Sequence, residues 1–312
     1  MYHFIINPHS QSGKGYPIWL RLEKKLKRKN IEYTPHLTRY PGHARELAAA
    51  LTTPSCDADK EERILIIMGG DGTLNEVIDG LTFRVPATVG YIPTGSGNDF
   101  ARSMRLPKRP GQALKHILNP KYLPYIDYGT ASFGRSDLTH RRFAVSCGIG
   151  LDADICQALF TSKLKEWTNR FYIGKFSYIL VGIRQIARMQ TCSGYLELDR
   201  SRRINLKRIA FISSHIQRYE GGGFLFSPQA NAGDGLLDLC VIASTNRLKI
   251  LPVLLASKFG RHCNMRGVHH YRCKEAFIHM DKPRHVHTDG EIFSPQTDLT
   301  LSCFERCLRI IL

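Results

Sequence analysis

The nine cysteines of this 312-residue sequence include no C-x-x-C pair. Without that spacing, neither a zinc knuckle nor a disulfide framework is expected, and the thiols read as reduced and mostly packed. No apolar run approaches the roughly 20 residues that span a bilayer, which excludes a transmembrane helix. The opening Met1-Tyr2-His3-Phe4-Ile5-Ile6-Asn7-Pro8 has no basic n-region or long apolar stretch, so a cytoplasmic chain without a signal peptide is expected. There is no G-x-S-x-G elbow, which removes the signature of a serine esterase. Acidic residues are scarce: 27 Asp+Glu face 44 Lys+Arg, for a net charge of +17. Such a field favours polyanions, nucleotides or an anionic membrane surface. No basic recognition module accompanies it, so no nucleic-acid partner is expected. Apolar residues make up 43% of the chain and are spread along it, which excludes disorder as the main state.

What is present divides into two parts. Up to about residue 125, short apolar runs alternate with helix-like stretches. Tyr2–Ile6, Ile31–Leu37, Arg63–Met68 and Thr88–Ile92 read as strands. Pro17–Lys29 and Gly42–Leu51 carry apolar residues at helical spacing, and a helix is expected to follow Gly69-Gly70-Asp71-Gly72. The β-α-β-α order with buried strands predicts a mostly parallel sheet covered by helices. Beyond residue 126, short strands dominate: Arg142–Cys147, Gly194–Leu198, Arg208–Ser213, Leu236–Ile242 and Glu275–Met280. Helices are expected over Asp152–Phe160, Phe176–Arg188 and Leu248–Phe259. This predicts a mainly antiparallel second domain.

Three glycine-bearing loops follow strands of the first part. The sharpest is Gly69-Gly70-Asp71-Gly72-Thr73, where a buried strand hands over to a helix. Glycines there let backbone approach a ligand, the helix N-terminus offers N–H groups to phosphate, and Asp71 could hold a phosphate-bound Mg²⁺. The second is Pro93-Thr94-Gly95-Ser96-Gly97-Asn98-Asp99-Phe100-Ala101. The third, Asn7-Pro8-His9-Ser10-Gln11-Ser12-Gly13-Lys14-Gly15, is not a Walker A loop, because Gly15 stands where Ser or Thr is required. In open α/β sheets, ligands bind beyond the carboxyl ends of strands, and three such loops together favour a nucleoside triphosphate.

These loops resemble the diacylglycerol kinase catalytic-domain family, in particular its bacterial soluble lipid kinases. The resemblance continues in order through Thr38, Ile126-Asp127, Gly148-Ile149-Gly150-Leu151-Asp152-Ala153, Asp234-Gly235-Leu236-Leu237-Asp238 and Thr288-Asp289-Gly290-Glu291. It implies an α/β nucleotide-binding domain over residues 1–126, completed by residues 295–312, and a β-sandwich lipid-substrate domain over residues 127–294. It implies ATP- and Mg²⁺-dependent phosphorylation of a lipid hydroxyl, with diacylglycerol converted to phosphatidic acid as the leading case. A sphingoid base or similar lipid alcohol is the alternative acceptor, and a NAD kinase-like activity is a second enzyme reading. ATP phosphates would meet Gly69, Gly70, Asp71, Gly72, Thr73 and Asn75, together with Gly95, Ser96 and Gly97. Asn7, Gly13 and Thr38 would contribute. Asp99 and Asp127 would join a carboxylate and water network around the metal. Ser96 and Thr94 depart from the usual family residues, and neither change is expected to matter.

The resemblance places the general base in Asp289-Gly290-Glu291, with Asp289 favoured and Glu291 the rival. A hydroxyl nucleophile needs a carboxylate within hydrogen-bond reach. Asp-Gly is equally a hairpin signal. The resemblance also implies a structural Mg²⁺ at the Asp234 carboxylate with carbonyl oxygens near Asn231 and Leu236, although a plain turn explains the same residues. Aromatics interleaved with cations over Phe160–Tyr178, and the basic runs Arg200–Arg208 and Arg261–Lys274, are candidates for peripheral contact with anionic lipid. The 13 histidines include His269-His270 and His285-Val286-His287, which read as structural or solvated. A homodimer is the default oligomer.

Overall fold

The computed structural model describes residues 1–56, 61–134, 139–161, 174–243 and 246–312. Most of the aromatic and basic stretch at 160–178 lies outside them. The chain forms two compact units. One is Met1–Tyr128 together with Glu305–Leu312, and the other is Gly129–Phe304.

The first unit runs β1 (Tyr2–Ile6), α1 (Ser10–Gly13), α2 (Gly15–Arg28), β2 (Tyr33–Leu37), α3 (His43–Thr52), β3 (Arg63–Gly69), α4 (Asp71–Gly80), β4 (Ala87–Pro93), α5 (Asp99–Ser103), α6 (Pro110–Leu118) and the start of β5 (Tyr125–Phe133). Strands β4, β3, β1 and β2 lie side by side and all parallel. Leu65 to Met68 are fully buried, as a continuous apolar run in a parallel sheet should be. Helix α2 buries Ile18, Trp19, Leu22 and Leu26 at three- and four-residue spacing, against Phe4, Ile66 and Ile117. The chain's last residues return to this unit, where Arg309 and Ile310 pair in parallel with Thr88 and Val89 of β4.

The second unit continues with β6 (Thr139–Phe143), β7 (Ser146–Gly150), α7 (Leu151–Thr161), α8 (Gly174–Arg188), β8 (Cys192–Leu198), β9 (Arg202–Ile209), β10 (Phe211–His215), β11 (Leu237–Ile242), α9 (Arg247–Ser257), β12 (Val268–Cys273), β13 (Glu275–Thr288) and most of β14 (Glu291–Ile310). Its pairings are antiparallel, in the order β12-β11-β10-β7-β13. Strand β13 changes partner along its length. Ala276–Met280 pair with β8, whereas Val286–Thr288 pair with β7, and the register shifts between His279 and Arg284. A long strand that switches partners at an irregularity joins the two layers of a sandwich. Phe143, Ile149, Leu196, Ile212, Leu239, Ile278 and Leu301 fill the space between them.

Two expectations need correction. The stretch Arg142–Cys147 is not one strand, because the ladder breaks at Ala144 and Val145. Those backbone N–H groups turn to a side chain instead, as described below. Arg208–Ser213 likewise divides at Ala210, between β9 and β10, with Arg208 at φ +50°.

Candidate active site

One candidate site lies within the first unit, where β1, β3 and β4 end. Asn7 N–H donates to Met68 O at 2.8 Å, and Thr94 N–H donates to Gly69 O at 2.7 Å, so the three loops leave the sheet together. Side chains then cross-link them. Asn7 Nδ2 donates to Thr73 Oγ1 at 3.1 Å, and Ser10 Oγ lies 2.8 Å from Thr94 Oγ1. Thr94 therefore has a role the sequence did not suggest: its buried hydroxyl ties the Pro93–Ala101 loop to the Asn7–Gly15 loop. Thr38, at the end of β2, joins the same edge, its N–H donating to Ile6 O at 2.9 Å.

The glycine loops pass close enough to require glycine. A Cβ on Gly95 would sit 2.5 Å from Gly70 Cα and 2.8 Å from Asn98 Oδ1. A Cβ on Gly72 would meet nothing within 4 Å, so the loop is open on that side. Asn98 folds its own loop, accepting from Gly95 N–H at 2.9 Å and donating to Gly95 O at 2.8 Å. The first turn of α4, which begins at Asp71, places a helix N-terminus beside these loops.

The carboxylates here are engaged with the protein itself. Asp71 accepts N–H bonds from Asp99 at 3.1 Å and Phe100 at 3.3 Å, and so caps α5. Asp99 pairs with Arg102 at 2.8 Å. Burial, with the Asp71 and Asp99 charges, pushes the Tyr91 hydroxyl well above its ordinary range. Asp127 is fully buried, and its Oδ1 accepts the Arg306 N–H at 2.8 Å, anchoring the returning C-terminal segment. Each of these carboxylates already holds a protein partner, so Mg²⁺ arriving on nucleotide phosphates would meet them only through the waters it keeps.

A second candidate site lies within the second unit, at the β13–β14 turn. Asp289 and Gly290 have φ of +48° and +88°, with Thr288 opposite Glu291. This is a two-residue hairpin with both central residues left-handed, a conformation Asp-Gly suits. Asp289 is also pinned by backbone amides. Its carboxylate accepts N–H bonds from Ala144 at 2.8 Å, Val145 at 2.9 Å and Ser146 at 2.8 Å, while its own N–H donates to Ser146 O at 2.8 Å. These bonds take the N–H groups of Ala144 and Val145 out of any strand ladder, which separates β6 from β7. Glu291, at the other end of the motif, is exposed.

Behind this turn sits a buried charge cluster. His287 Nε2 lies 3.1 Å from Glu220 Oε1 and 3.3 Å from Asp152 Oδ2. Room for it comes from Gly148, where a Cβ would stand 1.8 Å from Asp152 Oδ2. Burial alone would lower the His287 pKa, but hydrogen bonds to Asp152 and Glu220 outweigh it and hold the imidazole well above its ordinary range. Burial would likewise raise Glu220, yet His287 and His215 draw it down to about 2. The cluster is therefore a Glu220 carboxylate with a His287 imidazolium. Burial pushes Asp152 up, against the hydrogen bond from His287. Nearby His215, fully buried, falls to about 4 by burial. Asp152 belongs to the Gly148–Ala153 motif, and His287 is among the histidines that read from sequence as structural or solvated. Glu220 carried no local signal, because the imidazolium it pairs with, His287, lies 67 residues further along the chain.

The Asp234 segment does not fit a second Mg²⁺ as arranged. Asp234 Oδ1 accepts the Leu236 N–H at 3.2 Å, and its other oxygen pairs with Arg272. Arg272 also lies 3.4 Å from Asp238, so a guanidinium supplies the positive charge that a cation would bring. Asn231 is exposed.

Two family models match the chain: the diacylglycerol kinase catalytic domain over residues 1–129, and the YegS C-terminal NAD kinase beta sandwich-like domain over residues 148–312. A Bacillus subtilis protein named "Putative lipid kinase YtlR" is 27% identical, covering 93% of this chain and 92% of that one. A diacylglycerol kinase of Mycobacterium tuberculosis is 25% identical, covering 93% of this chain and 88% of the other. A crystal structure titled as a diacylglycerol kinase from Bacillus anthracis superposes with a TM-score of 0.72 at 20% identity, over 99% of this chain and 96% of that one, and so shares its fold. With a matched catalytic domain followed by a matched sandwich domain along nearly its whole length, the chain belongs to the diacylglycerol kinase catalytic-domain family of lipid kinases.

Proposed function

We propose that this protein transfers the γ-phosphoryl group of ATP, with Mg²⁺, to the hydroxyl of a membrane lipid, and that diacylglycerol is the acceptor. The observation that carries this reading is the set of three cross-linked glycine loops at the ends of β1, β3 and β4, matched to a kinase family. Phosphoryl transfer asks mainly for positioning and charge neutralisation, and backbone N–H groups at a helix N-terminus supply both. Gly69 to Thr73, Asn75 and Gly95 to Gly97 would line the triphosphate, with Asn7, Gly13 and Thr38 beside them. Mg²⁺ would neutralise phosphate charge, held through water by Asp71, Asp99 and Asp127.

The acceptor's proton goes to the Asp289-Gly290-Glu291 turn. Asp289 is the first candidate because three amides fix its carboxylate in one orientation, as a positioned base requires. Those bonds also occupy most of its lone pairs. Exposed Glu291 is the rival, and the variants described in the Discussion separate the two. Peripheral association with anionic lipid follows from the net charge of +17. Among the described residues no helix is long and apolar enough to cross a membrane. A NAD kinase-like reading is favoured by the description of the sandwich model. Transfer of labelled phosphate from ATP to a lipid dispersion, with NAD offered in parallel, tests the proposal: label in lipid supports it, and label in NAD phosphate replaces it.

A further inference from the structure

A second cluster lies on β11 and β12, next to the buried His215. Cys240 on β11 stands directly opposite His270 on the edge strand β12. Residues opposite each other in an antiparallel pair project to the same face. His262, from the connection between α9 and β12, completes the group. Its Nε2 is 3.8 Å from Cys240 Sγ, and its ring centre is 5.4 Å from that of His270. One sulfur and one nitrogen from each imidazole all lie within 4.8 Å of one another.

We propose that Cys240, His262 and His270 form a binding site for Zn²⁺. A thiolate with two imidazoles is the donor set that selects a borderline-soft cation over Mg²⁺ or Ca²⁺. The geometry is close to a coordinated one. A tetrahedral Zn²⁺ with bonds of about 2.3 Å to sulfur and about 2.0–2.1 Å to nitrogen sets these atoms about 3.6 Å apart. A second observation points the same way. His262 is fully buried; its Nε2–H donates to the Phe226 carbonyl at 3.1 Å, which leaves the ring's lone pair on Nδ1, and Nδ1 has no hydrogen-bond partner. An imidazole placed so is poorly served by the protein alone. A bound cation would take Cys240 as the thiolate. His270 is exposed, which gives an entry path, and water would complete the coordination. The bound ion would fasten β12 and its preceding loop to the sheet. The three ligands are 22 and 8 residues apart in sequence, so no spacing motif announces them.

The test uses the full chain, stripped with a chelator and titrated with Co²⁺ as the spectroscopic stand-in for Zn²⁺. The wild type should show the intense visible bands of a tetrahedral site and a thiolate-to-cobalt charge-transfer band, both removed by one equivalent of Zn²⁺. His270→Ala, an exposed change that leaves the core intact, should weaken Co²⁺ binding by about tenfold or more. Cys240→Ser, checked for folding by circular dichroism, should lose the charge-transfer band. No charge-transfer band in the wild type, or undiminished binding in folded His270→Ala, overturns the site.

Discussion

Replacing Asp289 by Asn separates the structural work of this carboxylate from its chemistry. Asn is isosteric and tolerates the φ of +48° found there, so the change adds no backbone strain. It does disturb the three N–H bonds from Ala144, Val145 and Ser146. If Asn keeps its oxygen toward Val145 and Ser146, its amide nitrogen meets the Ala144 N–H donor to donor. One buried N–H is then left unsatisfied, at about 1–3 kcal/mol, and two charge-assisted bonds become neutral ones, each weaker by about 1 kcal/mol. The expected loss is about 3–5 kcal/mol, a large share of a typical total of about 5–15 kcal/mol. Equilibrium urea unfolding reads it as a lower midpoint with an unchanged slope. A loss below about 0.5 kcal/mol would refute the reasoning, because the amides would then not be holding a carboxylate. Activity measured where the variant remains folded then reports the chemistry alone.

Other outcomes follow from the same structure. Glu291→Gln, at an exposed position, should leave the unfolding midpoint unchanged. If Glu291 is the base, turnover falls about 10²–10⁴-fold; if turnover holds, the base is Asp289. Gly95→Ala places a Cβ 2.5 Å from Gly70 Cα, so it should weaken ATP binding and cost about 1–3 kcal/mol, read by nucleotide titration and thermal melting. His215, with a folded pKa of about 4 against 6.5 unfolded, binds its proton more readily in the unfolded chain. Its contribution is therefore fully present above pH 6.5 and is lost as pH falls toward 4, by about 3 kcal/mol. His215→Gln should flatten that part of the stability profile relative to wild type, and parallel profiles would contradict the assignment.

The first unit was legible because its signals are local. A continuous run such as Arg63–Met68 must be buried on both faces, and the glycine loops that follow each strand mark where a ligand can approach. The sandwich was harder to read. Strand β14 is 20 residues long but shows no clean alternation, since its neighbours change along its length. Strand β12 exposes four of its six residues to an intermediate or greater degree and reads as basic loop. The break between β6 and β7 is dictated by Asp289, about 145 residues away, and no window around Arg142–Cys147 contains that information. In the candidate site, the Asp71, Thr73 and Gly95 positions came from contiguous motifs. The bond from Ser10 to Thr94, the Glu220–His287 pair and the guanidinium that Arg272 lends Asp234 exist only once distant segments meet.

Transfer of γ-labelled phosphate from ATP and Mg²⁺ into mixed micelles, with diacylglycerol, sphingosine, ceramide and NAD offered side by side, tests the central claim most directly. Label in phosphatidic acid is the predicted result. Label in none of the lipids, from a folded sample that binds ATP, would contradict it.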